Sequence, residues 1–322
     1  MFKRLALACV TVAACGALAQ DYPTRTVNMV VPYAAGGPTD TVARVLAQAM
    51  TKPLGQTVIV ENKPSAGGLV GAETVKNARP DGYAILIHHI GMATTPTLYR
   101  SALRFNPVTD FEYIGLVNEV PMTVIGKPGL PPKDLKELIA YMKANKDKVT
   151  YANAGVGAAS HLCGMLFMSA VGVDVLTVPY KGTGPAMNDL VGGQVDLLCD
   201  QTTSTTGQIK GGKVKVYGVT SAKRLPSMPD IPTLDEQGLK GADVAIWHGL
   251  YAPKGTPKPV IDKLVAALQA AMKDATLQQR FNELGAVSYP PDKQTPAALE
   301  AHLKAEIAKW APIIKKAGVY AD

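Results

Sequence analysis

The chain has 322 residues, of which 47% are hydrophobic and 18% charged, with 30 Gly and 24 Pro. That balance excludes a disordered or low-complexity chain and leaves length for two domains of ordinary size. The formal charge of +7 is spread thinly, with no basic run interleaved with aromatics, so nucleic acid is not an expected partner, while a mild positive field favours small anions.

Residues 1–19 read as a secretory signal peptide. Lys3 and Arg4 form a basic start, Leu5 to Ala14 are apolar, and Ala17-Leu18-Ala19 is a small-x-small cleavage site. Val12-Ala13-Ala14-Cys15 is the rival, a lipoprotein-like site ending on Cys15. No later run reaches the ~18 apolar residues of a spanning helix. Cys9 and Cys15 leave with the signal. Cys163 and Cys199 remain, in a compartment that permits disulfides, where they either pair or stay as buried thiols.

From there short apolar runs alternate with amphipathic helices. VNMVVPY is a strand and TDTVARVLAQAM a helix, TVIVEN a strand and LVGAETVKNA a helix, and YAILIHH a third strand. This βαβαβ order implies an α/β protein with a mostly parallel sheet flanked by helices. After Gly126 the pattern restarts. KDLKELIAYMKAN is amphipathic, and VTYANA, VDVLTVPY, VDLLCD and VKVYGVT are strands separated by the helices ASHLCGMLFMSA and PAMNDLVGG. IWHGLYA crosses back, and two long helices close the chain. The last carries Leu299, Leu303, Ile307, Trp310 and Ile314 at helical spacing, so Trp310 belongs to a core.

Two strand-to-helix loops resemble each other, VVPYAAGGPTD and TYANAGVGAAS. A helix start exposes backbone N–H groups without intrahelical partners and carries partial positive charge. In the first loop Tyr33, Ala35, Gly36 and Thr39 are ligand candidates, and Pro38 suits a first helical position. Asp40 would repel an adjacent anion, so it caps the loop or meets water or a ligand hydroxyl. No Lys follows the glycines, which rejects a P-loop. In the second loop Asn153, Ala159, Ser160 and His161 are candidates. Gly155-Val156-Gly157 approaches a dinucleotide fingerprint, but the following strand ends in Pro179-Tyr180-Lys181 with no ribose-binding acid, so no nicotinamide cofactor is expected. His88 and His89 end one strand and must face opposite ways, which makes them a poor metal pair. His88 is taken as the ligand donor. Asp200 ends its strand, where open α/β sheets place ligand groups, and Trp247 and His248 sit at the second crossing. There is no Gly-x-Ser-x-Gly, no His-Glu-x-x-His and no CxxC, so neither a catalytic set nor a metal site is expected.

The stretches YPTRTVNMVVPYAAGGPTD, VIVENKPSAGGLVGAETVKNARPDGYAIL, VPYKGTGPAMNDLVGGQVDLL, VTSAKRLPSMPDIPTLDEQG and GLYAPKGTP resemble the substrate-binding proteins of tripartite tricarboxylate transporters, the Bug family. The resemblance spans nearly the whole mature chain. It implies a two-domain Venus-flytrap fold: residues 20–123 with 247–322 form one domain, 124–246 the other, and two crossing strands are the hinge. It also implies a periplasmic, monomeric receptor without cofactor. Tyr33 to Asp40 and Asn153 to His161 would hold a carboxylate, Asp200 matches a family Asp, and Tyr180 lies in a matching stretch. Membrane transporter subunits would be the partners. His88-His89, His248, Cys163 and Cys199 depart from the usual pattern. Aromatic and His groups at such positions would suit an aromatic dicarboxylate such as terephthalate. The alternatives are a secreted enzyme using His161 or His88 on a small anion, and a sensory binding protein that reports to a membrane receptor.

Overall fold

In the computed structural model, which describes residues 22–318, 320 and 321, one mixed sheet runs through the molecule. The expected signal peptide and the Cys15 site lie outside the described residues. β1 (Val27–Val31), α1 (Pro38–Leu54), β2 (Val58–Asn62), α2 (Leu69–Lys76) and β3 (Ala84–His89) follow the expected βαβαβ order, with β1 parallel to both β2 and β3. Next come α3 (Gly91–Leu98), the long β4 (Phe111–Gly126) and α4 (Leu135–Ala144). The second unit is β5 (Thr150–Asn153), α5 (Ala159–Val171), β6 (Leu176–Pro179), α6 (Thr183–Val191), β7 (Leu197–Gln201), α7 (Thr202–Lys210) and β8 (Lys215–Val219). β9 (Ala245–Pro253), α8 (Lys258–Ala271), α9 (Ala275–Glu283), β10 (Val287–Ser288) and α10 (Pro296–Ala317) complete the chain.

The strand order is β2-β1-β3-β9-β4-β7-β5-β6, with β8 and β10 also on β4. The α/β class is as expected, but the sheet is mixed rather than mostly parallel. Pairing is parallel inside each βαβ unit and antiparallel wherever β4 and β9 enter. β4 belongs to two sheet regions. Its first part pairs β9 and β10, and from Met122 onward it pairs β7 while β8 joins from Thr123. Pro121 has no N–H to give a ladder, and it stands where β4 leaves β9 and takes up β7. The expected domain boundary at 123/124 falls inside β4, and the one at 246/247 falls inside β9.

α1 shows why the local sequence folds as it does. Pro38 occupies its first turn, Val42, Leu46 and Met50 bury one face, and Gly55 ends it in a left-handed conformation. Leu299, Leu303, Trp310 and Ile314 of α10 are buried as their spacing predicts, and Ile307 packs against the same core. Three helices close the chain, not two, because Asp274 caps and starts the short α9. Cys163 of α5 and Cys199 of β7 are joined in a disulfide, with Cα atoms 6.1 Å apart.

Candidate functional site

The first loop, between β1 and α1, is fastened by Asp40. Its carboxylate accepts from the Gly36 N–H at 3.0 Å, from Arg44 Nε at 2.9 Å and from Asn62 Nδ2 at 3.0 Å. Burial raises the Asp40 pKa, but Arg44, Gly36 and Asn62 outweigh it and hold the carboxyl below its usual value. Gly36 takes φ +79°, which allows the turn. Asp40 is thus a brace behind the loop, while Thr39 faces the cavity. The second loop is built in the same way. Asn153 Oδ1 accepts from the Gly155 N–H at 2.9 Å, Ser160 Oγ from the Ala154 N–H at 2.8 Å, and His161 Nδ1 from the Gly157 N–H at 3.3 Å.

The helix starts differ in a telling way. α4, α9 and α10 are capped by the side chains of Asp134, Asp274 and Thr295. α1 and α5 begin after Gly37 and Ala158, and no side chain caps either. Their first-turn N–H groups are left to meet something else, and both starts line one small cavity. The starts of α6 after Gly182 and of α7 after Gln201 also lack a side-chain cap, and they contribute Thr183 and Gln201. The two sheet regions touch around this cavity. Ala34 N–H donates to the Lys181 carbonyl at 3.3 Å, Tyr99 Oη to the Val156 carbonyl at 2.5 Å, and Thr94 Oγ1 to the Gly157 carbonyl at 3.1 Å.

Of the expected ligand residues, Tyr33, Thr39, Ala159, Ser160 and Asp200 line the cavity. Ala35 and Gly36 are exposed and border a separate surface depression with Gly184 and Ser204, while Asn153 and His161 shape the second loop. The remaining candidates do not line this cavity. His89, not His88, lines the cavity, stacked on Tyr33 with ring centroids 4.6 Å apart. His88 is fully buried just behind the lining, its ring edge-on to Tyr33 and His89 with centroids 5.7 Å and 5.2 Å away, and close to Gly68 and Gly91. Tyr180 turns outward and donates to Asp189 at 2.7 Å. Trp247 packs on α10, where its Nε1 donates to Glu306 at 3.2 Å. His248 stands behind the lining, 2.9 Å from Asn118 Oδ1 and 3.4 Å from Thr39 Oγ1. The reading of the sequence missed Thr183 and Gln201. The small-residue stretch Gly182-Thr183-Gly184 at a helix start was the available signal for the first; nothing in the sequence marked the second.

No Lys or Arg side chain lines the cavity. Asp200 is fully buried in it, and neither carboxylate oxygen completes a hydrogen bond. Burial pushes its pKa up to about 7, and the nearby Gln201 N–H and the hydroxyls of Thr183 and Ser204 oppose this without any of them reaching full hydrogen-bond geometry. The histidines go the other way. Burial lowers His88 and His248 to about 3 and His161 to about 4, and it takes His89 well below its usual value. All four are neutral at pH 7. Among the described residues no group of three or more His, Cys, Asp or Glu could hold a metal ion.

These histidines predict acid sensitivity. Below pH ~6.5 the unfolded chain takes up protons that the native histidines refuse, so stability present above that pH falls with acidification. Asp200 opposes this, because the native state holds its proton from about pH 7 down to the ordinary carboxyl range. Glu119, also raised by burial, works in the same sense as Asp200, but His302 is lowered too, and two carboxyls do not offset five imidazoles. The melting temperature of the ligand-free protein is expected to fall by several degrees from pH 7 to pH 5.5; a constant or rising value would contradict the neutral buried histidines.

Residues 42–319 match the profile of the tripartite tricarboxylate transporter family receptor, TctC. A UPF0065 protein from the TAR-I ttuE-ttuC' intergenic region of Agrobacterium vitis is 51% identical over 303 residues, which cover 94% of this chain and 87% of the relative. The periplasmic binding protein BugD superposes with a TM-score of 0.91 at 57% identity, covering 94% of this chain and 100% of its own. MatC from Rhodopseudomonas palustris, solved with bound malate, superposes at 0.87 with 39% identity, covering 91% of this chain and 100% of its own. The match runs from the first helix to the last and carries the fold with it, and the chain belongs to the tripartite tricarboxylate transporter receptor family.

Proposed function

We propose that this protein is a periplasmic receptor that closes on a small carboxylate and delivers it to the membrane subunits of a tripartite transporter. One observation carries the reading: α1 and α5 begin without side-chain caps, and both helix starts line one cavity that no cationic side chain lines. Such a site suits an anion held by backbone donors and hydroxyls. Helix-start attraction contributes ~0.3–1 kcal/mol at exposed sites and up to ~2 kcal/mol when partly buried. Hydrogen bonds from Thr39, Ser160 and Thr183, with the backbone N–H groups, supply the remainder. Residues 20–123 with 247–322 act as one jaw and residues 124–246 as the other, and β4 and β9 act as the hinge. The receptor works as a monomer, without cofactor and without a catalytic step.

A short aliphatic dicarboxylate fits better than an aromatic one. The cavity is small, and of the ring groups expected for an aromatic body Trp247 is engaged with Glu306 and Tyr180 with Asp189, which leaves only Tyr33 and His89 in the lining. Malate bound to MatC is a precedent for the size. The test is thermal melting and calorimetry of the mature protein against mono- and dicarboxylates of increasing length, terephthalate included. A ligand that binds only the native state stabilises it by about 2.7 kcal/mol at roughly 100 Kd. A four-carbon diacid should raise the melting temperature and be recovered unchanged. A response to terephthalate alone would restore the aromatic reading, and no response to any carboxylate would sink the receptor assignment.

A further inference from the structure

The cavity contains a feature that anion capture alone does not explain. Asp200 sits at the end of β7, 1% exposed, with both carboxylate oxygens lacking a completed hydrogen bond. Gln201, beside it in the cavity lining, has a buried Oε1 that is also unpartnered. A second negative group brought next to Asp200 would meet unscreened repulsion, because no Lys or Arg lines the cavity and His89 is neutral. Orphaned buried acceptors are costly, and here three such atoms on two adjacent residues line the same cavity.

We propose that Asp200 is a specificity-determining residue that accepts a hydrogen bond from a donor, a hydroxyl or an ammonium, carried by the ligand beside its carboxylate. The proposal rests on the receptor reading above and narrows its ligand class. The uncapped starts of α1 and α5 hold the carboxylates, and Asp200 reads the substituent between them. A donor there satisfies the orphaned oxygens. A ligand of equal length without one leaves them unsatisfied and adds repulsion, so discrimination comes from the penalty as much as from the bond.

The experiment is calorimetry at pH 8 with four probes: succinate, malate, aspartate and 2-methoxysuccinate. The last matches malate in size but has no donor. Malate or aspartate should bind about tenfold or more tighter than both succinate and 2-methoxysuccinate, since a hydrogen bond to a charged acceptor is being gained. Whichever of malate and aspartate is preferred identifies the donor as hydroxyl or ammonium. In Asp200→Asn the advantage over succinate should shrink to about threefold or less while succinate itself binds no worse, because the repelling charge is gone. Succinate or 2-methoxysuccinate binding as tightly as malate and aspartate would overturn the proposal, and so would an unchanged preference in the folded variant. The wild-type comparison stands even if the variant fails to fold. Binding of none of the probes or of any longer carboxylate would instead count against the receptor reading.

Discussion

Replacing Cys163 and Cys199 together by alanine is expected to lower the melting temperature by on the order of 10 °C. The bridge closes a loop with a sequence separation of 36. Cross-linking a loop of that size removes about 3–4 kcal/mol of chain entropy from the unfolded state, a model-dependent figure. Both residues are at most 1% exposed, so the substitutions also leave a small cavity. The bridge has a second consequence for the site. Cys163 lies one helical turn after Ser160, and Cys199 immediately precedes Asp200, so the disulfide ties the α5 helix start to the strand that presents Asp200. Carboxylate affinity should therefore fall in the double variant by more than a loss of stability alone explains. Scanning calorimetry of the variant beside the oxidised wild type checks the first claim, and titration well below both melting points checks the second. A shift under about 2 °C would show that the bridge constrains little.

Gly184→Ala is expected to separate closure from folding. Gly184 is the second residue of α6, and a Cβ there would stand 2.6 Å from the Ala35 carbonyl oxygen and 3.3 Å from Gly37 N, both backbone atoms across the cavity. Within its own helix the substitution is favourable, since alanine is the better helix former by up to ~1 kcal/mol. The cost falls only where the two sheet regions meet. The ligand-free melting temperature should stay level or rise, while carboxylate affinity should drop by about tenfold or more, or roughly 1.4 kcal/mol. Gly37 is a weaker lever, because a Cβ there would meet Thr183 Oγ1 at an ordinary 3.5 Å. Unchanged affinity in Gly184→Ala would mean that ligand binding does not need this contact.

The parts of the fold that could be read from the sequence are those whose signal is local. α1 and α10 carry helical spacing, and β1, β2 and β3 are short apolar runs between turns. β4 escaped, although it holds the molecule together. Nearly all of its residues are buried on both faces, so it shows no alternation, and Gly115 and Pro121 read as breaks. α3 and α7 escaped because Gly, Pro and Thr dominate them, and packing rather than propensity makes them helical. At the site, Thr39, Ser160 and Asp200 were legible because they follow strand ends. Choosing between His88 and His89 was not possible, since both faces of β3 are buried and both rings lie against Tyr33, so only the folded lining shows that His89 opens on the cavity. Trp247 and His248 are successive residues of β9, so the pleat sends them opposite ways and only one can approach a ligand.

The pairing of β3 with β9 sets an order of events for a chain made from its N-terminus. β3 meets its antiparallel neighbour only through the register of Leu86 with Tyr251, so that edge stays open until the last third of the polypeptide has emerged. β4 to β8, by contrast, draw all their mutual partners from residues 111–219. That segment can assemble early, while the region begun first must wait, with an unpaired strand exposed to misassociation. A truncation ending near residue 240 should therefore keep structure around β4 to β8 yet be prone to aggregate through β3, which makes the late-arriving β9 the step that seals the molecule.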